Sequence, residues 1–245
     1  MTAGDPPQLA RYLVLADSVI VEIERLAAGA SVFLRSGYRT SERDRVMVAL
    51  ACKADGSFRA LIEDCRAGRG EAMHHLKTMA EIFIYFYAVV ADDTDKTANA
   101  IIAECVAEQH ARRHRRLEPG SLEQLNWEEF RDEFRREAAK IGDLARLAET
   151  HGTELWYARV YQLACQSAHL GDLLEWMPDD DWQLLVGEAA IAKTGQWKLR
   201  LAISYAIEIV LGLLDTIMQI NIAGLRVDTS SFRAELSAIR EARTT

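Results

Sequence analysis

The fold is decided by residues 71–91, which read EAMHHLKTMAEIFIYFYAVVA. At 3.6 residues per turn, this stretch is long enough for about six helical turns. Apolar side chains occupy almost every direction around the helix axis, whereas a surface helix would keep one polar face. The stretch therefore predicts a helix that is buried on most sides, at the centre of an all-α fold.

The composition agrees with an all-α, single-domain helical bundle of seven to nine helices. The chain has 245 residues, of which 49% are hydrophobic and 27% are charged, and only four are prolines. This length suffices for one large core, and abundant alanine, leucine, glutamate and arginine favour helices. We predict one helical domain over residues 1–245, with a candidate hinge near residues 118–125, where Pro119, Gly120 and Ser121 form a loop signal.

Turn signals set the expected limits of the helices. Asp55 and Gly56 predict a turn or kink between a helix that begins near Thr40 and a second helix over residues 58–65. The expected core consists of three helices, and a short helix should end the chain. The predicted ranges are 71–91, 153–176, 196–222 and, for the terminal helix, 230–243.

The sequence indicates a cytoplasmic protein that does not enter a membrane. Its first residues lack the basic and apolar regions of a signal peptide. The longest apolar run, residues 201–222, contains Glu208 and Asp215, and a lipid-exposed helix would not tolerate both charges. Four cysteines without a CxxC spacing are expected to be reduced. They are Cys52, Cys65, Cys105 and Cys165.

Polar residues at helical spacing mark the candidate site. Tyr161, Cys165 and His169 fall four residues apart, which places them within an arc of about 80° on one helix face. Lys77 and Glu81 are likewise four residues apart on the central helix. If the two stripes face each other, they form a buried acid–histidine–tyrosine network with shifted pKa values. Glu81, Tyr161 and His169 are therefore the candidate catalytic residues, for proton transfer.

A third polar stripe lies on the helix predicted for residues 196–222, where Ser204, Glu208 and Asp215 share one side. Two interpretations stay open for each of the three stripes. A stripe either joins the buried network or forms the solvent-exposed face of its helix. A histidine on a helix also fixes packing through a hydrogen bond more often than it performs catalysis.

No residues are predicted to bind a metal or another cofactor. Glu71 and His74 match half of the helical di-iron pattern, which needs a second Glu-x-x-His and two further glutamates. The chain contains no second motif of this kind. It also lacks a glycine-rich phosphate loop, a Gly-x-Ser-x-Gly elbow and a convincing helix-turn-helix, which argues against P-loop enzymes, serine hydrolases and repressors.

A basic cluster at residues 110–116 is the candidate nucleic-acid interface. Its arginines could contact phosphates. In the following segment, 127–141, arginines alternate with glutamates, as is typical of a solvated, salt-bridged surface, and the whole chain has a net charge of −8. Nucleic acid is therefore not the expected main partner. The arginines of the cluster are Arg112, Arg113, Arg115 and Arg116.

One alternative function is that of a metal-independent RNase. Helical RNases of the higher-eukaryote-and-prokaryote nucleotide-binding class use an arginine and a histidine separated by four to six residues. The pairs Arg69–His74 and Arg146–His151 have this spacing. In a chain with so many arginines, about one or two such pairs arise by chance. On this hypothesis, His74 or His169 acts on RNA together with a nearby arginine.

Two short motifs lie on two of the helices predicted for the core. Lys77-Thr-Met-Ala-Glu81 precedes an aromatic and aliphatic run at residues 82–87, and a later helix carries Tyr161, Cys165 and His169. These motifs resemble an all-helical bacterial family of unknown function, in which Arg-Ser-Leu-x-Glu is followed by a similar run and later by Tyr-x-x-x-Ser-x-x-x-His.

The resemblance covers residues 56–178 and implies a helical fold with a Glu–Tyr–His cluster. By analogy with the family, it also implies a role in bacterial stress or phage defence. Lys77 replaces the family's arginine, which removes a bidentate clamp for a carboxylate. Cys165 replaces the family's serine.

The helix predicted for residues 196–222 is apolar over a very broad face. One neighbouring helix cannot cover such a face, so we predict a homodimer. A third functional class stays open beside the polar cluster and the RNase. In it the protein is a non-enzymatic interaction module, and the basic cluster or the apolar C-terminal helices form its contact surface.

Overall fold

The computed structural model describes residues 8–35, 41–92, 94–114, 143–168, 184–219 and 226–242. These residues form eight helices and no strand, so the predicted all-α, single-domain helical fold is confirmed. The helices are α1 (Gln8–Arg35), α2 (Glu42–Ala67), α3 (Ala72–Ala91), α4 (Lys96–His114), α5 (Leu144–Thr150), α6 (154–168), α7 (Leu184–Gln219) and α8 (Thr229–Glu241).

Contacts between residues divide the chain into two compact units. The first unit comprises Met1–Tyr38, Ala51–Phe83 and Leu155–Thr245. The second comprises Arg39–Leu50 and Ile84–Glu154. The hinge predicted near residues 118–125 lies outside the described residues, so it stays a prediction.

Helix α3 is buried around most of its circumference, as its sequence predicts. Leu76, Met79 and Ile84 are all 0% exposed, and Phe86 is as deeply buried. The helix keeps polar side chains only at a few half-buried or exposed positions, of which Glu81 is one. Burial on several sides explains why an apolar pattern without a clear polar face still specifies a helix.

The predicted turn at Asp55 and Gly56 is wrong, because α2 runs through both residues without a break. Within the helix, the Asp55 carboxylate accepts a hydrogen bond from Arg59 Nε at 3.0 Å, one turn later. Such a pair offsets part of the roughly 1 kcal/mol that a glycine costs inside a helix. The helix ends instead at Gly68, whose φ of +70° is the left-handed conformation that terminates helices.

Helix α7 is longer than its sequence predicts, since it begins at Leu184 rather than near residue 196. It packs in the first unit with α1 and α8, and these three helices contact one another in pairs. Helix α8 starts after Asp228, whose side chain accepts hydrogen bonds from the backbone N–H groups of Ser230 and Ser231. Such an N-cap fixes the start of a helix that would otherwise leave donors unpaired.

Within the described residues, Trp197–Met218 of α7 is long and apolar enough to cross a membrane, with a mean hydropathy of 1.8. However, 67% of this segment is buried inside the protein. Both of its acidic residues are also paired with arginines of α8, Glu208 with Arg240 and Asp215 with Arg233. These features are those of a core helix.

Candidate functional site

Two of the three predicted catalytic residues come together in the first unit. Glu81 on α3 and Tyr161 on α6 are both half-buried, and the Glu81 charge acts on the Tyr161 phenol. The Tyr161 hydroxyl donates a hydrogen bond to the Cys165 thiol, and Lys77 Nζ lies 5.9 Å from the centre of the Tyr161 ring. The third candidate, His169, lies outside the described residues, so its approach to Glu81 stays a prediction.

Tyr161 is held in its protonated form. Burial raises its pKa most, followed by the hydrogen bond to Cys165 and electrostatic interactions with Cys165 and Glu81, and together they raise the pKa to about 12. At neutral pH this phenol can therefore donate a hydrogen bond but is a poor general base. The cluster is better suited to fixing α6 against α3 than to abstracting a proton.

The protonation of Tyr161 can be tested by spectrophotometric titration. A free tyrosine is half ionised near pH 10, so wild type and Tyr161→Phe should gain the same tyrosinate absorbance between pH 7 and 10. Because the folded pKa lies above the unfolded value, this group stabilises the fold below pH 10 and that contribution is lost as the pH rises towards 12. A loss of half a tyrosinate equivalent in Tyr161→Phe at pH 10 would contradict the assignment.

A single π-helical turn, Tyr157–Tyr161, interrupts α6 between Glu154–Trp156 and Gln162–Ala168. The backbone N–H of Gln162 bonds to the carbonyl oxygen of Tyr157, five residues earlier. The Tyr157 and Tyr161 rings stack at 5.3 Å with an angle of 19° between their planes. Such turns are rare and occur frequently at functional sites.

Trp156 anchors the start of α6 between two other helices. Its ring lies 4.7 Å from Phe83 on α3 and 6.3 Å from Tyr205 on α7. The π-turn that follows Trp156 carries Tyr161 and also Arg159, which lines a cleft. One helix thus contributes both to the tyrosine cluster and to the cleft.

The cleft has a volume of about 430 Å³ and lies in the first unit. This volume is in the range of small-molecule sites. Four helices line it: α1, α6, α7 and α8. Its polar lining residues are Gln8, Tyr12, Arg159, Arg200, Ser204, Tyr205, Glu208 and Arg240.

Ser204 and Glu208 of the third polar stripe lie on the α7 wall of this cleft, and residues of α8 bind both. Arg240 Nε donates to Ser204 Oγ at 2.9 Å, and Arg240 Nη2 donates to Glu208 Oε2 at 2.6 Å. The Arg240 guanidinium carbon is also 5.9 Å from the centre of the Tyr205 ring. Further along, Arg233 Nε donates to Asp215 at 3.2 Å. Arginines of α8 thus bind Ser204, Glu208 and Asp215. Neither interpretation of the stripe in the sequence predicted these partners.

The cleft offers more hydrogen-bond donors than acceptors. Arg159 is exposed and makes no hydrogen bond or ion pair with the part of the chain that the structure describes. Tyr12 is only 4% exposed, and within the same residues its hydroxyl has no hydrogen-bond partner. Among the described lining residues Glu208 is the only carboxylate, and Arg240 already binds it. Since arginine can only donate, the arrangement suits a ligand rich in acceptors.

One residue of the RNase hypothesis, Arg69, is bound by the acid Asp64. Arg69 Nε donates to Asp64 Oδ1 at 2.7 Å, and His75 Nε2 lies 3.3 Å from Asp64 Oδ2. Asp64 is 6% exposed, so this carboxylate binds Arg69 from a buried position. His74 is exposed and contacts the ring of His75.

Other predicted sites fall partly beyond the described residues. Arg115 and Arg116 are outside them, and so are the side chains of Arg112 and Arg113. The nucleic-acid interface therefore stays a prediction. Within the described ranges, no three histidine, cysteine or acidic side chains are grouped so that they could hold a metal ion.

The comparisons with known proteins add no constraint to the site. No protein-family model, curated protein or solved structure matches this chain. The chemistry of the cleft is consequently argued from its own side chains.

Proposed function

We propose that this protein binds a small anion, rich in hydrogen-bond acceptors, in the cleft lined by α1, α6, α7 and α8. The observation that carries the proposal is Arg159, an arginine in a π-turn that lines the cleft without a described partner. Arg240 is paired with Glu208, whereas Arg159 adds a positive charge that no described carboxylate binds, although the whole chain has a net charge of −8. A local excess of positive charge in an acidic protein attracts anions to that place.

The buried Tyr12 hydroxyl supports the same proposal. A polar group that is buried without a hydrogen-bond partner costs about 1–3 kcal/mol. An acceptor atom of the ligand would remove this cost, and Tyr12 would give up no hydrogen bond to the described residues in binding it. Tyr205 adds an aromatic wall whose ring is already fixed by Trp156.

Ligand binding accounts for the geometry better than the alternatives do. In the predicted catalytic cluster, Tyr161 is a poor general base at neutral pH, because its pKa is raised to about 12. For the RNase pair Arg69–His74, Asp64 already binds the arginine. The other pair, Arg146–His151, does not line the cleft. Three further predictions are compatible with a ligand-binding protein: the homodimer, the cytoplasmic location and the role in stress or phage defence. The argument for ligand binding in the cleft does not depend on any of them.

Isothermal titration at low salt tests the proposal, with citrate, inorganic pyrophosphate and glucose 6-phosphate as probes. At least one probe is expected to bind wild type, and Arg159→Gln should weaken that binding roughly 10- to 100-fold, because a charge-assisted hydrogen bond is lost. The matched control is Arg226→Gln, since Arg226 is also exposed but does not line the cleft. Equal losses in the two variants, or no binding of any probe, would refute the proposal.

A further inference from the structure

The direction of Arg159 depends on the backbone of α6. Its side chain is exposed and makes no hydrogen bond or ion pair with the described part of the chain, so the helix backbone directs its guanidinium. Arg159 is the middle residue of the π-turn Tyr157–Tyr161. In this turn the backbone hydrogen bond spans five residues, whereas the bond of an α-helix spans four.

An α-helix over the same residues would present Arg159 in another direction. Each residue of an α-helix turns the chain by about 100°, because one turn takes 3.6 residues. A π-turn takes up one extra residue, so its loss would rotate the side chains before it relative to those after it by about that angle. Loss of the π-turn would therefore move Arg159 relative to the cleft, or break contacts at one end of the turn.

Contacts with α3 hold both ends of the π-turn. Just before the turn, the Trp156 ring lies 4.7 Å from the ring of Phe83 on α3. At the end of the turn, Tyr161 is half-buried, and Lys77 Nζ on α3 lies 5.9 Å from the centre of its ring. A cation at this distance is attracted to the face of an aromatic ring. The same helix thus anchors the residues on both sides of Arg159.

One contact spans the turn itself. Tyr157 and Tyr161 are its first and last residues, and their rings stack at 5.3 Å with an angle of 19° between their planes. Stacked aromatic rings stabilise the conformation in which they meet. Neither ring lines the cleft. The stack therefore favours the π-turn without contacting a ligand, and Tyr161 connects the stack to α3.

We propose that Tyr161 is a positioning residue of the anion site. Its ring closes the π-turn against Tyr157, holds the turn on α3 and so directs Arg159 into the cleft. Because the guanidinium is already directed before the ligand arrives, less freedom is lost on binding and the affinity is higher. This inference rests on the proposed anion-binding function and deepens it, since it gives the tyrosine cluster a part in binding rather than in catalysis.

The test measures dissociation constants by isothermal titration, with whichever of citrate, inorganic pyrophosphate and glucose 6-phosphate binds wild type most tightly. Tyr161→Leu removes the ring, and binding should weaken roughly 5- to 10-fold as Arg159 loses its fixed direction. Tyr161→Phe keeps the stacked ring, so its dissociation constant should stay within about twofold of the wild-type value. Circular dichroism confirms that each variant is folded at the temperature of the titration.

A double-mutant cycle with Arg159→Gln distinguishes positioning from a general structural effect. If Tyr161 acts through Arg159, Tyr161→Leu should change the affinity by less than about twofold once Arg159 is replaced by glutamine. Tyr157→Leu removes the same stack from the other ring and should weaken binding to a similar extent. It takes the place of Tyr161→Leu in the cycle if that variant does not fold.

Equal affinity of wild type and Tyr161→Leu would overturn the inference, and so would equal losses in Tyr161→Leu and Tyr161→Phe. The same loss with and without Arg159→Gln would mean that Tyr161 does not act through the arginine. In each of these cases anion binding stands. If no probe binds in an Arg159-dependent way, the proposed function fails, and the positioning role fails with it.

Discussion

Replacing Leu76 with alanine is expected to lower the free energy of unfolding by about 2–5 kcal/mol, the usual cost of a cavity left by a fully buried leucine. Leu76 is 0% exposed on α3. For a chain of this length, each kcal/mol lowers the melting temperature by about 2–4 °C. Thermal or urea unfolding followed by circular dichroism measures the effect.

The matched control is the same substitution at Leu155, which is 60% exposed at the start of α6. Leu155→Ala should change the free energy of unfolding by less than about 0.5 kcal/mol, as surface substitutions usually do. Equal effects at the two leucines would mean that α3 is not a buried helix of the core.

Replacing Arg240 with methionine is expected to loosen α8 from α7 and to cost about 1–2 kcal/mol. The change removes hydrogen bonds to Ser204, which is 6% exposed, and to Glu208, whose side chain is 29% exposed. A buried acceptor left without its partner costs about 1–3 kcal/mol, and the partial exposure of Arg240 places the value in the lower part of that range. Hydrogen exchange of the α8 amides should become faster before global unfolding.

The control for Arg240 is Arg233 on the same helix, which pairs with Asp215 and is 42% exposed. Arg233→Met should cost less than about 1 kcal/mol, because an exposed ion pair contributes little. If both substitutions have the same effect on α8, the hydrogen bonds of Arg240 to α7 do not hold the helix in place. A double-mutant cycle with Glu208→Gln isolates the energy of the pair itself.

The helices could be predicted where the pattern that specifies a helix lies within that one segment of the sequence. The apolar pattern of residues 71–91 specified α3 within one residue of its observed start, because burial on all sides depends on that segment alone. The break expected at Asp55 and Gly56 is wrong, since both residues lie inside α2, where Asp55 pairs with Arg59 one turn later. Spacing by four residues also grouped Lys77 with Glu81, and Lys77 Nζ lies 5.9 Å from the centre of the Tyr161 ring.

The cleft could not be predicted, because its residues are distant in the sequence. Tyr12, Arg159 and Arg240 lie on three helices that only tertiary packing brings together. Ser204 and Glu208 were visible as a stripe, but their partner on α8 was not. The π-turn that presents Arg159 has no sequence signal that helical periodicity can detect.

The central claim, that the cleft binds an acceptor-rich anion, is tested most directly by crystal structures of the protein grown with glucose 6-phosphate and, separately, with citrate. We predict an anion inside the cleft in at least one of them, within hydrogen-bond distance of the Arg159 guanidinium and the Tyr12 hydroxyl. An empty cleft in both crystals, or an anion bound only elsewhere, would contradict the account.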